Sequence, residues 1–197
     1  MTFKPSSLPE NFSSDNLTPH YKFPHHYIFV NLITNTDMIE ELKSMLKGAK
    51  RIVILGVGNE LRRDDGLGIV AARKLQLKKL PQSVTVIECG EVPENFLGVI
   101  EKIKPSHVIM IDAVDMGAEP GSIGLITKEQ ILKYPTISTH KPSPHILMSY
   151  IEEIIGAKIL IIGVQPENVD FGEGLTPKVE KAVEILVDML TLILSGR

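Results

Sequence analysis

Two carboxylates and an imidazole stand where apolar segments of this chain give way to polar ones: Asp65, Asp112 and His140. Asp65 lies in "GVGNELRRDDGLG", residues 56–68, directly after the apolar run Ile52-Val53-Ile54-Leu55. Asp112 ends the run "HVIMI", and His140 sits in "TISTHKPSPH", just ahead of a helical pattern. Such a trio suits a divalent transition ion and leaves coordination positions open for water or substrate. Each residue also has a plainer reading. Asp64 and Asp65 precede a helix, so either can be its N-cap; Asp64 is assigned to that role or to support of its neighbour. Asp112 can form a turn, and His140 can be a surface histidine. A nucleotide site fits poorly. Gly56 and Gly58 begin a G-x-G-x-x-G, but Leu61 stands where the third glycine belongs, and two aspartates would repel a pyrophosphate. Cys89 has no evident histidine partner and reads as a buried structural thiol.

The elements that must position these residues follow from apolar periodicity. "RIVILGV", "SVTVIEC", "SHVIMIDAV" and "AKILIIGV" read as strands, and "GSIGLI" as a short strand or extended segment. Helical spacing marks "GLGIVAARKLQLKKL", "PENFLGVIEKI", "SPHILMSYIEEI" and "TPKVEKAVEILVDMLTLIL". The last carries a stripe of Val179, Val183, Leu186, Val187, Leu190 and Leu194, with Thr176 as expected N-cap and Pro177 at the first helical position. Short apolar strands alternating with helices predict an α/β fold of three layers: a twisted, mostly parallel five-stranded sheet with helices on both faces. Ligands of such sheets bind outside the carboxyl ends of the strands. That edge should gather Asp65, Asp112 and, if the preceding segment runs as expected, His140. Asn59, Glu91 and Gln165 follow strands at the same edge. They are candidates to line a substrate groove, although each can equally serve a turn or cap.

The 197 residues suffice for one domain, expected over residues 50–197 after an N-terminal extension of residues 1–49. Residues 1–37 are rich in Pro, Ser, Asn, Thr and His and are expected to be poorly ordered. A short helix is expected at Met38–Lys47, with Ile39, Leu42 and Leu46 on one face. A net charge of -3 argues against nucleic acid as a partner. The single cysteine cannot form an internal disulfide. No apolar run reaches the ~20 residues of a membrane helix, and prolines interrupt the N-terminus where a signal peptide would be unbroken. A cytoplasmic monomer is expected.

Several motifs in order resemble those of the hydrogenase maturation endopeptidases of the HycI/HybD type, and their details stand closer to the HycI branch. They are "GVGNELRRDDGLG", "CGEVPEN", "IDAVDMGAEPGSI", "STH" at 138–140 and "GVQPE" at 163–167. The resemblance covers about Arg51 to Leu190. It implies an endopeptidase that removes a C-terminal extension from the large-subunit precursor of a [NiFe]-hydrogenase after nickel insertion. It also implies that Asp65, Asp112 and His140 are the metal-contacting, catalytic residues. Nickel would arrive with the precursor, and another divalent metal could occupy the isolated protein. The alternative is a non-catalytic nickel-binding maturation chaperone with the same ligands. The extension has no counterpart in the family pattern. The two prolines of "KPSPH" depart from the usual apolar residue and single proline.

Overall fold

The computed structural model describes residues 35–126 and 144–196. Of the segment expected to be poorly ordered, residues 1–37, only 35–37 are described, and they open a helix; residues 1–34 and His140 lie outside the described residues. Five strands form one sheet: β1 (Ile52–Val57), β2 (Val84–Gly90), β3 (His107–Ala113), β4 (Ile123–Ile126) and β5 (Lys158–Val164), in the order β2-β1-β3-β5-β4. Strands β1, β2, β3 and β5 are parallel, and β4 joins the edge antiparallel to β5. Every residue of β1 and β3 is buried, because both strands have neighbours on each side and helices above and below. Their unbroken apolar runs are the signature of strands covered on both faces. The flanking β2 is only partly buried.

The helices are α1 (Asn35–Met45), α2 (Leu67–Gln76), α3 (Leu97–Ile103), α4 (Pro144–Tyr150) and α5 (Pro177–Ser195). A π turn, Ile151–Ile155, extends α4. Alternate strand residues feed two separate cores. Ile52, Ile54, Ile109 and Ile111 pack with α1, α2 and α5 on one face. Val53, Leu55, Val108 and Met110 pack with Ile100 of α3 and with Leu147, Met148 and Ile151 on the other. The sheet is thus the middle of three layers, as the alternation of elements predicts. The stripe of α5 from Val179 to Leu194 is fully buried.

Helix α1 begins three residues before the expected start, and its buried residues are Met38 and Leu42, continued by Leu46; Ile39 lies at the margin. Met38 and Leu42 stand four apart, so they share a face one turn above the other. That face joins the α5-side core, so this helix contributes to the folded body.

Glycine decides how closely α2 approaches the sheet. A methyl group on Gly68, in the first turn of α2, would run into the carbonyl oxygens of Val57 and Ile111. Only hydrogen at this position lets the helix sit directly on the ends of β1 and β3.

Candidate active site

The chain leaves β1 for β2 on one flank, then returns to place β3 on the other. Helices α2 and α3 therefore lie on opposite faces of the sheet. A crevice opens between such helices at the carboxyl ends of the two strands where the order reverses. Asp65 and Asp112 come from those two strand ends. Asp65 belongs to a 3-10 turn, Arg63–Gly66, that joins β1 to α2 and packs against β3. Asp112 is the penultimate residue of β3, paired in register with Gly163 of β5. By strand alternation its side chain shares the face of Val108 and Met110, the side covered by α3 and α4. Relative exposure is 3% for Asp65 and 1% for Asp112, and Oδ1 of each is shielded from solvent. Burying two carboxylates at one edge is costly unless charge or hydrogen bonds compensate. An oxygen-rich pair of this kind is suited to a cation.

Asp64 has a different assignment. It caps no helix: α2 starts from Gly66 without a side-chain cap bond. Instead its fully buried carboxylate accepts hydrogen bonds from the amides of Glu167 (2.9 Å), Asn168 (2.9 Å) and Thr176 (2.7 Å), and from the Thr176 hydroxyl (2.9 Å). Thr176 does precede α5 with Pro177 at the first helical position. Its hydroxyl, however, makes no cap bond and is turned toward Asp64. Gly58 completes the corner. It has φ +147, and a Cβ there would strike the carbonyl oxygen of Asp65. The second glycine of the G-x-G thus serves close backbone approach, and no phosphate is needed to explain it.

The other residues singled out from sequence have definite surroundings. The Asn59 side chain accepts from the Leu61 amide at 2.9 Å, an Asx turn at the start of the loop. Glu91 lies exposed just past β2. Gln165 is 8% exposed. Its Oε1 accepts from the amides of Met116 (2.7 Å) and Ala118 (3.2 Å), and its Nε2 donates to Asp115 Oδ1 at 3.3 Å. Gln165 thereby shapes the loop after Asp112. A groove of about 310 Å3 flanks the aspartate turn, with Glu60, Leu61, Arg63, Gly66, Glu173 and Leu175 among its walls. Arg63 adopts φ 47 there, a backbone state that residue type alone does not announce.

Cys89 is buried, and burial first, then the Glu94 charge, pushes its thiol up to about 12. It therefore stays a neutral thiol, unsuited to nucleophilic attack. Glu60 and Glu88 both pair with Arg73 of α2, at 2.8 Å each, bracing the loop after β1 against the helix and β2. The hydrogen bond from Arg73 holds the Glu60 carboxyl below its usual range. Among the described residues no three His, Cys, Asp or Glu side chains form a metal cluster; Asp65 and Asp112 are the described members of the expected trio.

Comparison with known proteins decides the family. The profile of the HycI hydrogenase maturation proteases matches residues 69–193. The chain belongs to this family. A putative hydrogenase maturation protease of Methanocaldococcus jannaschii is 33% identical over 163 residues, 78% of this chain and 96% of its own. The HycI maturation protease structure from Thermococcus kodakarensis superposes with a TM-score of 0.73 at 33% identity, over 79% of this chain and 99% of that one. The HybD endopeptidase of Escherichia coli gives a TM-score of 0.60 at 28% identity, over 74% and 93%. This HycI-family protein is accordingly a peptidase on an α/β fold shared with both branches, and the greater similarity is to HycI. In it the aspartate turn sits where the fold opens, and Cys89 is a buried, neutral thiol.

Proposed function

We propose that this HycI-family peptidase removes the C-terminal extension of a [NiFe]-hydrogenase large-subunit precursor after nickel has been inserted. Asp65, Asp112 and His140 would form the metal-recognising site. The observation that carries this reading is the pair of buried acids, Asp65 and Asp112, at the switch point of a maturation-protease fold. A crevice built for a phosphate would present backbone amides and positive charge there; this one presents carboxylates. Nickel enters as part of the substrate. Carboxylates and an imidazole grip it and thereby set the scissile peptide beside the site, so that processing depends on metal loading. Water near such a cation loses its proton more readily, and a carboxylate not engaged with the metal can accept that proton. The neutral Cys89 thiol supports hydrolysis by water over a thioester route. The groove beside the turn offers room for an extended segment of the precursor. Asn59, Glu91 and Gln165 would act in shaping the loops around it. The enzyme would work as a cytoplasmic monomer; no described helix is long and apolar enough to cross a membrane.

Intact-mass measurement tests the reading. Nickel-loaded and nickel-free precursors are mixed with wild type and with Asp65→Ala, Asp112→Ala and His140→Ala. Wild type should shorten only the nickel-loaded form, and the folded variants should shorten neither. A precursor that binds and is never shortened overturns the proposal.

A further inference from the structure

The neighbouring aspartates divide into two jobs. Asp65 is the acid that the proposed function uses. Asp64 is fully buried and its carboxylate is turned to the protein: Oδ2 accepts from Glu167 N, Asn168 N and Thr176 Oγ1, and Oδ1 accepts from Thr176 N. All these donors lie in the segment between β5 and α5, more than 100 residues further along the chain. The backbone strengthens the same junction. Asp64 N donates to Asn168 O at 3.1 Å, Arg63 N to Gly172 O at 2.9 Å, and Gly172 N to Leu61 O at 2.9 Å. The turn itself has little to hold it: four residues of 3-10 geometry, with Arg63 at φ 47 and the Asp65 amide bonded to Arg62 O at 3.0 Å. Short 3-10 turns have poor hydrogen-bond geometry and take their shape from what surrounds them.

We propose that Asp64 is the positioning residue of the site: its buried carboxylate clamps the aspartate turn to the Glu167–Thr176 segment and so fixes where Asp65 stands against β3. This rests on reading Asp65 as a reacting or metal-binding acid. The clamp explains why two aspartates adjoin where one would bind. A displacement of ~1 Å at a reacting group can cost about a hundredfold in rate, so the clamp matters to turnover even where the fold survives.

Asp64→Asn removes the charge and sets an amide NH2 against a donor such as Thr176 N in place of an acceptor, which weakens the clamp without changing size. Thr176→Val removes only the hydroxyl. Amide hydrogen exchange is read first, on the isolated full chain. Then shortening of nickel-loaded precursor is timed, at a temperature well below the unfolding midpoint of every variant. In Asp64→Asn the Asp65 amide should exchange faster while the Ile109–Ile111 amides of β3 keep their protection. Turnover should fall by about tenfold to a hundredfold. Thr176→Val should move both readouts the same way by less. A merely structural role would lower the midpoint and leave turnover at that temperature unchanged, which overturns the proposal, as does an Asp65 amide still protected. If Asp64→Asn unfolds as a whole, Thr176→Val decides by the same two criteria. If wild type shortens no precursor, the protease reading falls, and exchange at Asp65 still decides the clamp.

Discussion

Adding one methyl group should have opposite effects at two helical glycines. Gly68 is the second residue of α2 and Gly98 the second residue of α3. A Cβ on Gly68 would meet the carbonyl oxygens of Val57 and Ile111 and stand 2.7 Å from Val57 N, where ordinary contact begins at 3.4 Å. These obstacles are backbone atoms of the two central strands, so no rotamer change relieves them. The helix must move. Alanine regains about 1 kcal/mol of helix propensity over glycine, whereas forcing a well-packed contact costs ~1–3 kcal/mol or more. With backbone on the far side the upper end applies, leaving Gly68→Ala less stable by about 2 kcal/mol. For a chain of this size that lowers the thermal midpoint by about 4–8 °C. At Gly98 a Cβ meets nothing within 4 Å. Gly98→Ala should therefore gain about 0.5–1 kcal/mol, raising the midpoint by about 1–4 °C. The assay is urea unfolding of the two variants beside wild type, with thermal scans as a second probe. Because α2 follows directly on the aspartate turn, Gly68→Ala should also slow precursor shortening, and Gly98→Ala should not. Equal midpoints for Gly68→Ala and wild type would refute the argument that α2 is held against the strand ends by the missing side chain.

Other expectations follow from the same structure. Cys89→Ser should retain precursor shortening, measured by intact mass, and native Cys89 should resist a thiol reagent at about pH 8, below its ordinary pKa of roughly 8.5. Since the folded thiol is pushed up to about 12, the stability it contributes is full below the unfolded pKa. It is lost as pH rises from about 9 toward 12, which the urea midpoint of wild type against Cys89→Ser should follow. The Glu60 carboxyl is held low by Arg73, so its contribution is present above the unfolded pKa of roughly 4.3 and fades as pH falls through the folded value. Arg73→Met should flatten that acid dependence, an effect kept small because the pair is half-exposed and screened by solvent. Gln165→Ala leaves the Met116 and Ala118 amides without their acceptor. It should cost about 1–3 kcal/mol in urea unfolding; a change within experimental error would show that this loop holds its shape without the amide.

Much of the architecture was open to reading in the one-dimensional pattern, because burial writes itself into residue order. The run Ile52–Leu55 must be apolar throughout when helices cover both sides of β1, and the stripe from Val179 to Leu194 must repeat at helical spacing to face one core. The strand ends at which Asp65 and Asp112 fall were legible for the same reason. What lay beyond the sequence were matters of direction and of distant partners. Nothing in "GSIGLI" says that β4 runs antiparallel; pairing with β5 decides it. Met38, not Ile39, turns inward because α1 rests on the α5-side core, and residues with similar apolar character can exchange roles when a helix rotates slightly. Thr176 has the residue type and the proline neighbour of an N-cap, yet its hydroxyl is turned toward Asp64, 112 residues earlier in the chain. Asp64 itself could be read as a cap or as support for Asp65. Only the folded chain separated the two, since the donors that surround its carboxylate arrive from the segment after β5. Local sequence determines which elements form and where polar residues leave them. Tertiary structure decides which of those polar residues spend their hydrogen bonds on holding distant segments together, as Asp64 does, because that depends on donors brought together only by the closing of the sheet.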